Sequence, residues 1–297
     1  MVEFYFKIFN IFRDTYTGLI ISNFIDLIIL VGPYFAVSVV LNVLLRHYFS
    51  KNKMIITAKN ETLSILIAGG IGILSPLPTY VAVPMGLSLI MSGIPLSAAV
   101  AFIIASPLMN PGLFYLTYTQ LGWEMAAARL ISAFVLSVVA GFLSKIIWRQ
   151  FCGYIKHHPI TKNKDMQPIW IEFKRSFLFL GKYFLIALFI SALVKSLVPE
   201  EFISKILGGN ARMSLIAAIA MGIPFYSCGG AAIPLIQVLS EMGMNKGAVL
   251  AFFIAGPSTK LETIYVYKSL LGYKFLLYFL SFTLISSFLC GLILLNL

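Results

Sequence analysis

The chain has few charged residues and very little cysteine for its length of 297 residues. Charged residues make up 11% and hydrophobic residues 60%, and the mean hydropathy is +0.94. A soluble core cannot use that much apolar surface, so we expect an all-α polytopic protein in a lipid bilayer. The three cysteines, Cys152, Cys228 and Cys290, are odd in number and scattered, which argues against a disulfide framework.

Several motifs of enzymes and nucleotide-driven proteins are missing. There is no Gly-rich loop ending in Gly-Lys-Ser/Thr, so the chain does not itself use ATP. It also lacks a His-Glu-x-x-His zinc motif and a Gly-x-Ser-x-Gly nucleophile elbow. We therefore expect neither an enzyme nor a cofactor.

The net charge of +11 does not indicate nucleic acid as a partner. The basic residues lie between apolar segments, where the orientation rule for membrane loops explains them, and no basic–aromatic binding motif is present. A homo-oligomer remains open.

Six stretches are long enough, or nearly so, to cross roughly 30 Å of hydrocarbon. They lie at 20–45, 95–119, 123–148, 176–198, 247–268 and 272–296. Four regions follow: an interfacial amphipathic helix at 1–19, a first membrane repeat at 20–148, a basic linker at 149–171 and a second repeat at 172–297.

The two repeats show themselves directly in the sequence. Residues 72–107 and 222–257 align without a gap, 150 positions apart, with twelve of thirty-six positions identical. The same offset pairs Gly141 with Gly291, and one residue less pairs Phe35 with Phe184. In so apolar a chain, duplication with matching Gly and Pro breaks is typical of transporters.

The segments 62–92 and 212–242 each contain two apolar limbs of about 13 residues around a polar or Pro-containing break. A helix of that length reaches about 20 Å, which is short of the bilayer thickness. Each segment is therefore one broken spanning helix, two short spans or a re-entrant hairpin.

The distribution of Lys and Arg favours the hairpin. If both segments return to the side they entered, the basic linker faces the cytoplasm together with Arg46, Lys51, Lys53, Lys59, Lys268 and Lys274. Each repeat then has three full spans, an odd number, so the repeats are inverted. A single broken span would instead give parallel repeats, which we keep as the alternative.

Two further breaks lie at 105–111 and 255–262. Pro107 and Pro257 remove amide donors and free carbonyl groups one turn back. Unpaired backbone in lipid costs several kcal/mol per group, so such breaks persist where protein or a water-filled cavity surrounds them. We therefore predict that these breaks contribute to a substrate site, with candidate residues Ser106, Pro107, Asn110, Pro257, Ser258 and Thr259.

Cys228 is the sharpest single candidate. It follows a Pro-containing turn and precedes Gly229-Gly230, which allow close backbone approach, and then a new helical limb. A thiol at a helix N-terminus has a lowered pKa, and thiolates bind soft metals and trivalent metalloids. We therefore predict that Cys228, with Gly229 and Gly230, binds substrate and is the metal ligand.

Three ionisable residues are candidates for coupling or for the pathway. Lys260 and Glu262 lie well inside the apolar stretch 247–268, and Asp26 lies near the start of the first span. Buried membrane charges are costly and normally line a pathway or pair with another charge. A partly desolvated Glu262 can titrate near neutral pH, so we expect it to couple transport to protons.

The motifs resemble one bacterial family. The run Cys228–Leu235 followed by 247–257 looks like the second repeat of the permeases that include the ArsP organoarsenical exporters, and 93–96 followed by 101–111 looks like the first. The resemblance implies export of trivalent organoarsenicals, mercury, or copper and zinc. Many members carry cysteines at the first break, where this chain has Ser75–Tyr80, which fits a one-thiolate ligand better.

The sequence thus predicts an inner-membrane efflux permease for a soft, thiol-reactive solute, most simply a trivalent organoarsenical. Mercury or copper/zinc export is the first alternative. A non-transporting membrane subunit that scaffolds a partner complex is the second.

The charge distribution makes a topological prediction. Residues 50–58 and 150–168 should face the cytoplasm, whereas 200–210 should face outward. Single cysteines placed in these loops can be labelled in intact cells with an impermeant thiol reagent. Strong labelling of 50–58 from outside would rule out the hairpin reading and favour parallel repeats.

Overall fold

A computed structural model describes residues 16–51, 60–75, 77, 79–91, 93–147, 169–209, 211–226 and 232–296. Within these ranges all regular structure is helical, which confirms the all-α prediction. By length and composition, three helical stretches there can cross a membrane, at Thr17–Val37, Leu96–Lys145 and Tyr273–Asn296. The predicted interfacial helix at 1–19 and the linker at 149–171 lie largely outside the described residues.

Twelve helices follow one another along the described chain. In order they are α1 Tyr16–Lys51, α2 Glu61–Leu74, α3 Thr79–Met91, α4 Leu96–Leu108, α5 Pro111–Ile147, α6 Ile169–Leu197, α7 Glu200–Ile203, α8 Ala211–Phe225, α9 Ala232–Glu241, α10 Lys246–Thr259, α11 Leu261–Leu271 and α12 Tyr273–Asn296. A π-helical turn, Ser204–Gly208, follows α7. Gly122 divides α5 into a short arm, 111–121, and a long arm, 123–147.

The helix order repeats at the predicted offset. Helices α2, α3, α4 and the two arms of α5 correspond to α8, α9, α10, α11 and α12. The tight turns correspond as well: φ is +90° at Gly93 and +99° at Gly243, and +84° at Gly122 and +86° at Gly272. L side chains rarely adopt such φ values, so these turns explain why glycine stands at both equivalent positions.

Helices α2 and α3 form a hairpin packed on α4. Helix α2 runs parallel to α4, since Ser97 Oγ donates to Glu61 Oε1 at 2.7 Å near their starts and Gly72 meets Phe102 near their ends. Helix α3 runs the other way, because Leu77 lies at Ser106 while Gly86 packs against Ile103. The chain therefore turns back at the break, and the tip reaches the end of α4.

Helices α1 and α6 pack antiparallel to each other. Asn23 Nδ2 donates to Ser196 Oγ at 3.0 Å, so the start of α1 lies at the end of α6. Further along, the rings of Phe35 and Phe184 stack with centroids 3.9 Å apart and an interplanar angle of 9°. Phe35 and Phe184 are equivalent residues of the two repeats, so the repeats meet each other at this pair.

The equivalent helices α4 and α10 begin at opposite ends of the long arm of α5. Near its end, Lys145 Nζ lies 2.7 Å from Glu61 Oε2, where α2 and α4 begin. Near its start, Glu124 forms an ion pair with Lys246, where α10 begins. Helices α4 and α10 therefore run in opposite directions along the long arm.

Two equivalent glycines let the helices of each repeat approach closely. A Cβ on Gly141 would lie 2.9 Å from the carbonyl oxygen of Ser97 and 3.2 Å from Ala101 Cβ. A Cβ on Gly291 would lie 2.9 Å from the carbonyl oxygen of Gly247 and 3.2 Å from Ala251 Cβ. These partners are equivalent at the 150-residue offset, so the packing of each half is the same.

Substituting either glycine by alanine should destabilise the fold. Gly141→Ala and Gly291→Ala place a methyl group against backbone oxygen, and overpacking of this kind costs about 1–3 kcal/mol. Gly70→Ala is the matched control, since a Cβ there meets nothing within 4 Å, and Gly-to-Ala in a helix adds up to about 1 kcal/mol. Unfolding temperatures of the purified variants in detergent measure the difference; equal values for all three would contradict the packing.

Candidate functional site

The two proline-containing breaks lie slightly after their prolines. Pro107 and Pro257 occupy the last turns of α4 and α10, and the chain leaves the helix at Met109 and at Lys260. At the first break the amide of Met109 still donates to the carbonyl of Ala105 at 3.3 Å. The last turn is thus closed, and the break follows it.

The carbonyl freed by Pro107 is satisfied from the other repeat. Pro107 has no amide hydrogen for the carbonyl of Ile103, four residues earlier. The hydroxyl of Tyr267 donates to that carbonyl oxygen at 3.5 Å, and its ring lies 4.3 Å from that of Phe279. Tyr267 is fully buried, so α11 contributes directly to the break between α4 and α5.

Ser106 joins the end of α4 to the tip of the first hairpin. Its buried hydroxyl lies 3.0 Å from the carbonyl oxygen of Leu77 and 3.3 Å from that of Ser75. Asn110 acts locally, since its Oδ1 accepts from the amide of Leu113 at 2.9 Å and so caps the start of α5. Both predicted substrate residues therefore satisfy backbone groups at the break.

The tip of the first hairpin also reaches the break of the second repeat. The hydroxyl oxygens of Thr79 and Thr263 lie 3.4 Å apart, and Thr263 donates to the carbonyl of Pro257 at 2.8 Å. Ser258 and Thr259 bond back to their own helix, the first to the carbonyl of Ile254 and the second to those of Ala255 and Gly256.

The second hairpin meets the same place through Tyr226. A Cβ at Gly256 would overlap the ring of Tyr226, so the glycine is what lets that ring pack on the end of α10. Gly256 corresponds to Ser106 of the first repeat. One repeat therefore anchors its hairpin with a hydroxyl and the other with a ring. The described residues of the four breaks, which for the second hairpin means Tyr226, lie around the ends of α4 and α10.

The structure describes some of the other predicted site residues and not the rest. Cys228, Gly229 and Gly230 lie outside the described residues, between Tyr226 and the start of α9 at Ala232. Lys260 is the half-buried linker between α10 and α11, and Asp26 is exposed on α1. Glu262 lies in the first turn of α11, but its side chain is outside the described part. The described side chains contain no cluster of three His, Cys, Asp or Glu suited to a metal.

Arg129 is the residue that the sequence reasoning missed. It lies on the long arm of α5 with 2% of its surface exposed. Its Nη1 donates to Thr117 Oγ1 at 2.7 Å, and its guanidinium carbon lies 4.0 Å from the ring centroid of Phe253 on α10. The available signal was an arginine well inside the predicted span 123–148, away from Glu124 and Lys145 near its ends, since buried membrane charges usually serve function.

Comparison with known proteins gives a family match over nearly the whole chain. The family model ArsP_1, described as "Predicted permease", matches residues 17–295. Similar proteins include UPF0718 protein MJ0584 of Methanocaldococcus jannaschii, 22% identical over 78% of this chain and 81% of that one. UPF0718 protein YcgR of Bacillus subtilis is 22% identical over 82% of this chain and 85% of its own length.

A third relative has a more specific name. It is the "Putative two-component membrane permease complex subunit" of Streptococcus mutans serotype c, 23% identical over 74% of this chain and 76% of its own. No solved structure matches the chain.

The hydroxyl of Ser106 should contribute more to stability than its neighbours in the second repeat. Ser106→Ala removes a donor from buried carbonyls at the hairpin tip, which costs about 1–3 kcal/mol. Ser258→Ala is the control, because the carbonyl of Ile254 lies inside α10 and keeps its helical amide. Thermal unfolding followed by tryptophan fluorescence measures both, and an equal loss in the two variants would contradict this role for Ser106.

Proposed function

The chain belongs to the ArsP_1 family of predicted permeases, and we propose that it is a secondary transporter that exports a soft, thiol-reactive solute from the cytoplasm. The observation that carries the proposal is the meeting of four helix breaks around the ends of α4 and α10. Two breaks are hairpin tips, and two interrupt apolar helices, at Met109 two residues after Pro107 and at Lys260 three residues after Pro257.

Helix breaks that lie close together can form a binding site for a transported solute. Each break exposes backbone donors and acceptors that cannot face lipid. Tyr267 satisfies one of these groups from the other repeat. Ser106 donates to the tip of the first hairpin, and Thr263 donates within its own break. A ligand can use the remaining groups, and the few bonds that hold the breaks together can exchange as the two halves move.

Inverted repeats are part of the proposal. They are supported by the antiparallel packing of the equivalent helices α1 and α6, and by the opposite directions in which α4 and α10 run along α5. The first hairpin then enters and leaves on one side of the membrane. That side carries the basic linker, which we assign to the cytoplasm of an inner-membrane protein.

The substrate class rests on Cys228. Its sequence position, between a Pro-containing turn and a new helix, favours a thiolate, and the described residue Tyr226 brings the start of this break to the end of α10. A trivalent organoarsenical is the first choice because one thiolate can bind it. Mercury, or copper and zinc, is the alternative for the same sulfur.

Glu262, with Lys260, is the proposed coupling group. Both stand at the break between α10 and α11, beside the Thr263 contact to Pro257. Asp26, exposed on α1, is left as a residue of the pathway entrance.

A second candidate function is a subunit of a permease complex. The name of the Streptococcus mutans relative favours it, since it describes a subunit of a two-component membrane permease. Purified protein in vesicles separates the two: transport by this chain alone supports the permease, whereas transport only with a second component supports the subunit.

Cys228→Ala should abolish export or reduce it at least tenfold. The reason is the high affinity of trivalent arsenic and Hg²⁺ for a thiolate. Resistance of a metal-sensitive bacterial host to methylarsenite, mercury, copper, zinc and antimony measures the effect, with the amount of membrane protein matched.

Cys290→Ala and Cys152→Ala are the controls. Burial raises the cost of a charged sulfur at Cys290, which is partly buried on α12, and Cys152 lies at the edge of the linker. Both variants should export at the wild-type rate. Wild-type export by the Cys228→Ala protein would rule out thiolate coordination.

A further inference from the structure

We propose that Arg129 is the binding residue for a small anion, a carboxylate or an oxyanion, held between α5, α10 and the end of α8. The inference rests on the proposed function where it places this anion in a transport pathway. The binding itself does not depend on that function.

The geometry leaves part of the guanidinium open to a ligand. Thr117 takes one Nη1 hydrogen, Phe253 covers one face, and Tyr226 interacts with the charge from the end of α8. The Tyr226 hydroxyl is close enough to interact with the guanidinium, but Nε and Nη2, which are buried, make no hydrogen bond of normal geometry within the described residues. These two nitrogens form one edge of the fork, which matches the two oxygens of a carboxylate or oxyanion.

The described acids do not balance this charge. Among the acids whose side chains are described, Glu61, Glu124 and Glu241 form ion pairs with lysines elsewhere, and Asp26 and Glu201 are exposed on α1 and α7. Arginine stays protonated in proteins, so it cannot escape the cost of burial by losing its proton. We therefore assign a bound anion as the partner of this charge.

Comparison of the two repeats separates function from folding. The equivalent of Arg129 is Phe279, which packs against Tyr267, the equivalent of Thr117. At the equivalent position of α12 a phenyl ring stands in place of the guanidinium, so no charge is buried there. Because the fold accepts an apolar residue there, the guanidinium is an addition to one half, and an asymmetric ligand site follows.

The position of Arg129 along α5 shows how far the proposed anion site lies from the ends of the neighbouring helices. Arg129 is five residues from Glu124, or about 7.5 Å along the helix. Glu124 pairs with Lys246 at the start of α10, and the break at Lys260 lies at the other end of that helix. The anion therefore binds between the Lys246 end of the protein and the level of the breaks.

The first test measures binding on the purified full-length protein in detergent. Sulfate, inorganic phosphate, arsenate and acetate are titrated separately into a low-salt buffer whose anion is bulky, and the unfolding temperature is followed. At least one probe should raise it saturably in the wild type. Arg129→Phe, which copies the equivalent residue, should abolish the rise, and Arg129→Lys should weaken the apparent affinity at least tenfold.

Lys246→Gln is the matched control. It removes one positive charge from the exposed ion pair with Glu124, near the start of the long arm of α5, and it should leave the anion response unchanged. An unchanged response in Arg129→Phe, or no response to any probe in the wild type, would overturn the proposal.

An internal ion pair is the competing explanation, with Glu262 as the acid. In that case Arg129→Lys would keep its stability, Arg129→Phe would lose it, and Glu262→Gln combined with Arg129→Phe would restore it. That rescue would overturn the anion site. Our expectation is the reverse: in anion-free buffer Arg129→Phe unfolds at or above the wild-type temperature.

Transport in reconstituted vesicles separates the source of the anion. If the anion is the substrate, Arg129→Lys raises the half-saturating concentration of that anion. If it travels with another solute, export of methylarsenite depends on the anion supplied in the wild type but not in the variant. An anion response that persists in a protein without transport would reject the permease function and leave the site standing.

Discussion

The structure depends on satisfying backbone polar groups where apolar helices are interrupted. Pro107 frees the carbonyl of Ile103, and the hydroxyl of Tyr267, 164 residues away, takes it. Ser106 and Thr263 do the same for the carbonyls of Leu77 and Pro257. Each unsatisfied group would cost several kcal/mol in hydrocarbon. One of these three bonds, from Tyr267 to Ile103, joins the two repeats, so each repeat contributes to satisfying the breaks of the molecule.

The two repeats are alike in their helix packing but differ in the polar and charged residues at their centre. Gly141 and Gly291 meet equivalent partners, so each half has the same helix–helix contacts. The centre differs: Ser106 has Gly256 as its counterpart, and Arg129 has Phe279. Closely packed helix contacts tolerate little change of side-chain volume. A backbone carbonyl at a break needs a hydrogen-bond donor, but residues at different positions can supply it. The halves have therefore diverged at the breaks and around Arg129, and they have kept the same packing where helices touch.

The sequence predicted the helical class, the repeat offset and the places of all four breaks, because proline, glycine and hydropathy act locally. It did not predict the partners. Whether the hydroxyl of Ser258 faces a ligand or its own helix depends on a rotamer that packing selects, and the structure turns it to Ile254. Arg129 was missed for a similar reason: its meaning comes from Thr117 and Phe253, and the second of these belongs to the other repeat.

The hydrogen bonds at the breaks leave few described polar side chains available to bind a ligand. The side chains of Ser106, Asn110, Ser258 and Thr259 at the described breaks all bond to backbone groups. The guanidinium of Arg129 keeps two nitrogens without a hydrogen bond of normal geometry within the described residues, and it faces Tyr226, which leads into the segment that carries Cys228. Under the proposed function, a hard positive group of the first repeat and a soft sulfur of the second contribute to one site. A solute bound between them would be recognised by its charge and by its thiol affinity together, and such pairing selects more narrowly than either group alone.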